Sequence, residues 1–109
     1  GWSSPIQRQN DRFSVTWTGF VVAPTTGAYT FYTRADDGVR LWVNNMQIIN
    51  NWKDHATVTN QANVNLTQGV KTPIRLDYYE NRGRAEISLQ WSSNNIVRQT
   101  VPQSVLYSQ

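Results

Sequence analysis

Residues 29–43 read YTFYTRADDGVRLWV and contain two short strand patterns, one on either side of Asp36, Asp37 and Gly38. In both patterns, apolar or aromatic residues alternate with polar ones, which is typical of strands with one buried and one solvated face. The two aspartates are therefore expected at a strand tip, where a rigid scaffold presents functional groups. Adjacent carboxylates repel each other unless a cation joins them. The stretch predicts a β-rich fold with a candidate metal site at this tip.

The composition favours one compact domain. Of the 109 residues, 39% are hydrophobic and 12% aromatic, and the absence of cysteine excludes disulfides and thiol chemistry. The formal net charge of +3 is mild and the arginines are scattered, which argues against a nucleic-acid-binding stripe. No run approaches the ~18 apolar residues of a membrane span. His55 is the single histidine and there is no cysteine, so the further His or Cys ligands that a zinc site needs are missing, and the sequence supports neither a Ser–His–Asp nor a Cys–His constellation.

The rest of the chain predicts an all-β fold, a two-sheet antiparallel β-sandwich. Turn-forming residues recur at short intervals, and no helical periodicity is sustained. Asn44-Asn45 is predicted as a two-residue hairpin turn, and Pro73 is predicted to open its strand. Residues 52–65 are predicted as a polar loop leading into a strand that ends at Leu66. The other predicted strands cover residues 13–18, 29–34, 39–43, 46–50, 74–79, 85–91 and 96–101.

Two residue groups have a structural as well as a functional interpretation. An Asp-Gly pair between strands, as in Asp37-Gly38, is a common hairpin turn. Trp52, in a polar segment, could stack on the apolar face of a sugar ring, but tryptophan is buried on average and could equally plug the edge of the sandwich. The residues alone leave these alternatives open.

Several phrases, taken in their order along the chain, resemble the PA14 domain family. They are FSVTWTGF (13–20), GAYTF (27–31), ADDGVRLWV (35–43), IINNW (48–52), PIRLDYYE (73–80) and AEISLQW (85–91). The resemblance implies one β-sandwich domain over residues 1–109. It also implies a further strand upstream of Gly1, and we therefore expect the chain to have been excised from a larger secreted protein.

The resemblance also implies a site. Lectin-like members of the family bind one calcium ion through two consecutive aspartates joined by a cis peptide, and the ion holds two sugar hydroxyls. Asp36 and Asp37 occupy that position, and Asn81 is the expected further metal ligand, although Glu80 aligns about as well. Trp52, Glu80 and Arg82 are the expected additional sugar contacts.

The predicted function is a non-catalytic, calcium-dependent carbohydrate-binding module at the cell surface or outside the cell. Its expected partner is a glycan, with neither nucleic acid nor membrane insertion, and it is expected to be covalently linked to other domains. Two alternatives stay open. One is a structural or protein-interaction PA14 module without sugar binding, and the other is an accessory domain of a glycosidase.

Overall fold

The computed structural model describes residues 13–81 and 85–108, which form two antiparallel sheets around one hydrophobic core. The sheet order is β4-β3-β6-β1-β9 in the first sheet and β5-β2-β7-β8 in the second, which confirms the predicted β-sandwich. The strands are β1 (Phe13–Val22), β2 (Gly27–Asp36), β3 (Gly38–Val43), β4 (Met46–Asn51), β5 (Val58–Leu66), β6 (Lys71–Glu80), β7 (Glu86–Ser93), β8 (Ile96–Thr100) and β9 (Leu106–Tyr107), with a 3₁₀ turn at Gln103–Val105. No helix in this part of the chain is long and apolar enough to cross a membrane.

The predicted alternation places the core between the sheets. In β2, Tyr29, Phe31 and Ala35 are buried while Arg34 is exposed. The Trp91 ring of β7 lies with its centre 4.9 Å from that of Tyr29, so the aromatic residues of neighbouring strands pack on each other. The inward face of β2 and that of β7 therefore share one aromatic contact in the core.

The predicted turn at Asn44-Asn45 is confirmed. Both residues have positive φ, 56° and 63°, which asparagine tolerates and a two-residue hairpin needs. The prediction that Pro73 opens its strand is wrong, because β6 begins at Lys71. Pro73 is tolerated inside β6 because β3 ends at Val43, so no β3 residue needs the backbone N–H that proline lacks. There the Asn44 N–H donates to the Pro73 carbonyl over 2.8 Å.

The predicted loop over residues 52–65 is too long. Strand β5 begins at Val58, so only residues 52–57 form a loop. Strand β5 is an edge strand that pairs with β2 alone. Only Val64 and Leu66 of this strand are buried in the core, and Ala62 is partly buried against it. The polar sequence of β5 therefore lacks the apolar alternation that marks more central strands.

The outer face of the first sheet holds a buried carboxylate, Asp77 of β6. Asp77 is 2% exposed and accepts hydrogen bonds from Arg40 of β3 (3.0 Å), Arg75 (2.9 and 3.1 Å) and Thr16 of β1 (3.0 Å). Burial acts to raise the pKa of Asp77, but the hydrogen bonds that it accepts outweigh burial and hold the pKa below its usual value. Asp77 therefore ties three neighbouring strands together through charge-assisted bonds.

The stability conferred by Asp77 depends on its charge, because a carboxylate with a lowered folded-state pKa stabilises the fold above its unfolded pKa of about 4. That contribution is lost as the pH falls through the folded pKa. We expect Asp77→Asn to lower the melting temperature at pH 7 by roughly 5 °C. The gap between the two proteins should narrow as the pH falls from about 5 towards 2.

Thermal unfolding monitored by circular dichroism across this pH range measures the gap. Glu86→Gln is the matched control, because it removes an acid whose ion pair with Arg34 is largely exposed, and it should change the melting temperature little. A gap that stays constant down to pH 2 would contradict the assigned role of Asp77.

Candidate metal centre

The paired aspartates lie where the chain crosses from one sheet to the other. Asp36 ends β2 in the second sheet, Gly38 begins β3 in the first, and the Asp36–Asp37 peptide is cis. Because β2 and β3 belong to different sheets, the interpretation of Asp37-Gly38 as a hairpin turn is wrong. A Cβ at Gly38 would lie 2.1 Å from the Tyr79 ring, so glycine here lets that ring cover the crossing.

A third carboxylate, that of Glu80 at the end of β6, converges on the pair. Carboxylate oxygens of Asp36, Asp37 and Glu80 all lie within 4.8 Å of one another. Glu80 is 1% exposed, and its Oε2 atom has no hydrogen-bond partner. Burial, followed by the charges of Asp37 and Asp36, raises the pKa of Glu80 to about 7. An unpartnered, buried carboxylate oxygen beside two others is a costly arrangement unless a cation completes it or a proton neutralises Glu80.

Asp37 is held by backbone amides from two different segments. Its Oδ1 accepts the His55 N–H over 3.1 Å, and its Oδ2 accepts the Asn81 N–H over 2.8 Å. Its own N–H donates to the Tyr79 carbonyl over 3.2 Å. The Asp37 side chain is 6% exposed, so these bonds fix its orientation inside the structure rather than at a mobile surface.

Asp36 is less enclosed than Asp37. The Thr57 hydroxyl lies 3.4 Å from its Oδ2, and its carbonyl accepts the Tyr78 hydroxyl. That hydroxyl also accepts the Glu86 N–H and lies 3.5 Å from Glu80 Oε1, so it joins two members of the cluster. Burial, and then the Asp37 charge, raise the pKa of Asp36. The hydrogen bonds described above position the carboxylates, but none of them comes from a cationic side chain that would neutralise the repulsion between them.

The loop over residues 52–57 closes one side of the site. Besides His55 and Thr57, it supplies Asp54, whose Oδ1 accepts the Tyr79 hydroxyl over 2.7 Å. Asp54 Oδ2 accepts the side-chain Nδ2–H of Asn81 over 2.6 Å. Burial, and then the hydrogen bond to Asp54, raise the pKa of Tyr79 to about 12. The loop therefore contacts every segment that carries a carboxylate of the cluster.

Trp52 begins this loop and packs on the outer face of the first sheet. The Arg40 guanidinium carbon lies 3.8 Å from its ring centre, and the Tyr79 ring meets it edge to face at 4.7 Å. Trp52 is 37% exposed, so part of the indole faces solvent. Sugar stacking by Trp52 stays a prediction, whereas its packing against Arg40 anchors the loop.

The other predicted site residues have different outcomes. Asn81 lies beside Asp37, with its amide nitrogen on Asp54, and metal ligation by its oxygen stays a prediction. Arg82 lies outside the described residues. Glu80, predicted as a sugar contact, belongs to the carboxylate cluster. Sequence reasoning missed His55 and Thr57, because a backbone amide and a loop hydroxyl leave no signal in the residue types.

The cluster suits a hard cation. All its side-chain donors are carboxylate oxygens, which calcium and magnesium prefer, and it lacks the nitrogen or sulfur that zinc favours. Within residues 13–81 and 85–108, no lysine or arginine forms an ion pair with Asp36, Asp37 or Glu80. The unpartnered Glu80 oxygen is thus an observation that a bound cation would explain.

Comparison with known proteins gives the family. A sequence model of the PA14 domain matches residues 1–104. The chain belongs to the PA14 domain family. This PA14 domain is 39% identical over 97 residues to anti-sigma-I factor RsgI3 of Acetivibrio thermocellus, a match that covers 89% of the chain and 15% of that protein.

Solved structures agree with this assignment. An anti-sigma factor domain-containing protein from Clostridium clariflavum has the same fold with a TM-score of 0.89 and 36% identity, over 97% of this chain and 36% of that one. A PA14 sugar-binding domain from an RTX adhesin shares the fold with a TM-score of 0.79 and 20% identity, over 91% of this chain and 56% of that one. The chain spans 15% of the curated relative and about a third of the first solved ones.

The repulsion within the cluster predicts that removing one of its charges stabilises the metal-free domain. In EDTA at pH 8, we expect Glu80→Gln to raise the melting temperature by roughly 2–5 °C, because it removes one buried charge beside two like charges. Differential scanning calorimetry measures this, with Glu86→Gln as the control that removes a charge outside the cluster. A melting temperature lowered by Glu80→Gln would show that the glutamate charge is already compensated without metal.

Proposed function

We propose that this PA14 domain is a non-catalytic carbohydrate-binding module that holds sugar hydroxyls through one calcium ion. Asp36, Asp37 and Glu80 would supply carboxylate ligands, and the amide oxygen of Asn81 would add a neutral one. The observation that carries the proposal is the buried Glu80 Oε2 atom, which has no partner and lies beside the two aspartates. Calcium takes six to eight oxygens, so carboxylates alone leave positions for two sugar hydroxyls.

The relatives bear on the proposal in different ways. The RTX adhesin domain, named as sugar-binding, shows that this fold can carry such a function. The more similar relatives are named as anti-sigma factors, and the chain spans only a small part of them. We propose that this module lies outside the cell or at its surface, where it recognises its ligand as one part of a larger protein.

The proposed affinity for a single sugar is weak. Few contacts surround the two hydroxyls that one ion can hold, so we expect a Kd of roughly 0.1–1 mM for a monosaccharide. Useful attachment to a polysaccharide would then need several copies, or tethering to other domains of the parent protein.

The second candidate function is a protein-interaction module. It is favoured by the identity to proteins named as anti-sigma factors, because those names refer to a sigma factor and not to a sugar. In this alternative the ion would only stiffen the crossing between β2 and β3. Calcium binding without any glycan ligand would distinguish it from the lectin function. The role of a glycosidase accessory domain also stays open.

A glycan array tests the proposal, with the domain displayed on a multivalent carrier so that weak binding is visible. We expect signals in calcium that disappear in EDTA. Asp36→Asn should lose them because it removes a ligand charge, whereas Glu86→Gln should retain them. Asp36→Asn is cleaner than Asp37→Ala, which would also leave the N–H groups of His55 and Asn81 unpaired.

Each array outcome has a defined meaning. Signals that survive EDTA would contradict a calcium-bridged sugar and move binding away from Asp36 and Asp37. The absence of signal in both conditions, from a carrier shown to hold several folded copies, would favour the protein-interaction module.

A further inference from the structure

We propose that Asp54 is a positioning residue of the calcium site. Its carboxylate accepts a hydrogen bond from the side-chain nitrogen of Asn81, and this bond orients the Asn81 amide oxygen towards the ion. This inference rests on the proposed function. It adds a residue that does not touch the ion but determines which end of Asn81 faces it.

The hydrogen bond between Asp54 and Asn81 determines which side-chain amide atom of Asn81, the nitrogen or the oxygen, faces Asp54. An ionised carboxylate accepts hydrogen bonds but cannot donate them, so only the nitrogen end of an asparagine amide can face it. Asp54 Oδ2 and Asn81 Nδ2 are 2.6 Å apart, which is short for a charge-assisted bond. The amide oxygen therefore points away from Asp54.

The backbone of Asn81 is fixed independently. Its N–H donates to Asp37 Oδ2 over 2.8 Å, which holds the residue against the carboxylate cluster. With the main chain on Asp37 and the side-chain nitrogen on Asp54, little rotational freedom is left in the Asn81 side chain. Such partners of metal ligands orient the ligand atom before the ion arrives.

Asp54 is itself oriented by its neighbours. The Tyr79 hydroxyl donates to Asp54 Oδ1 over 2.7 Å, and the Tyr79 ring is packed over Gly38 and against Trp52. Trp52 is two residues before Asp54 in the same loop, and Arg40 covers its ring. The hydrogen bond between Asp54 and Asn81 is thus linked, through Tyr79 and Trp52, to the packed outer face of the first sheet.

A second explanation for any effect of Asp54 is its charge. Asp54 is a fourth carboxylate near the cluster, and its charge is one of the contributions that raise the pKa of Glu80. A charge effect would attract calcium whatever the orientation of Asn81. The two explanations differ in what asparagine at position 54 does, because it removes the charge but keeps an oxygen that can accept the Asn81 Nδ2–H.

Calorimetric titration of calcium into the wild type and its variants tests the proposal. We expect Asp54→Ala to weaken calcium binding by tenfold to a hundredfold, the range seen for partners of metal ligands, and Asp54→Asn to stay within a few-fold of the wild type. Asn81→Ala should weaken binding comparably to Asp54→Ala. Adding Asp54→Ala to Asn81→Ala should cause no further loss, because the positioned group is already gone.

Two controls separate positioning from loss of structure. Lys53→Ala changes an exposed neighbour in the same loop and should leave calcium affinity unchanged. The melting temperature in EDTA should be similar for all these variants, because Asp54 and its contact with Asn81 are exposed.

The outcomes keep this inference separate from the proposed function. If the wild type binds calcium and Asp54→Ala binds it equally well, the role of Asp54 is overturned while the calcium site stands. If Asp54→Asn is as weak as Asp54→Ala, Asp54 acts by charge and the positioning role is overturned. If the wild type does not bind calcium, the proposed function fails and the inference fails with it.

Discussion

The repulsion among three carboxylates at the crossing between the two sheets is the constraint on which the rest of this site depends. Asp36, Asp37 and Glu80 converge within 4.8 Å, and Glu80 Oε2 is buried without a partner. Like charges at this distance in a poorly hydrated environment are unfavourable. Burial, and then the charges of Asp37 and Asp36, raise the pKa of Glu80.

The surrounding fold holds the carboxylates together against that repulsion. Two backbone amides from separate segments bind the oxygens of Asp37, and one of these segments is the loop over residues 52–57. Trp52 anchors this loop by packing on Arg40, and Arg40 is bound to Asp77 on the central strand β6. A contiguous set of polar and aromatic contacts therefore joins the outer face of the first sheet to the carboxylate cluster. Through these contacts the rigid sheet positions the loop over residues 52–57.

Residue alternation predicted most strands, because side chains that alternate between core and solvent leave a period of two in the sequence. The Asn44-Asn45 turn was predictable because asparagine tolerates positive φ. Alternation failed at β5, where an edge strand buries few side chains, and the proline rule failed at Pro73, whose tolerance depends on where a neighbouring strand ends. Of the three carboxylates in the candidate site, the sequence alone marks the two aspartates. The adjacency of Asp36 and Asp37 is visible in the sequence, whereas the place of Glu80 depends on how β6 pairs with β3.

Loop contacts were the least predictable part. His55 contributes a backbone amide, which every residue except proline carries, so no residue pattern could have indicated it. The contact between Asp54 and Asn81 joins segments 27 residues apart, and it depends on the tertiary arrangement of two loops. Such contacts follow from the fold and are invisible to local sequence rules.

A crystal structure of the domain grown with calcium would reveal whether the crossing between β2 and β3 binds an ion. We expect one ion there, with carboxylate oxygens of Asp36, Asp37 and Glu80 among its ligands at the 2.3–2.6 Å typical of calcium. A crossing that contains no ion at saturating calcium, or one where an arginine guanidinium neutralises the three carboxylates instead, would contradict it.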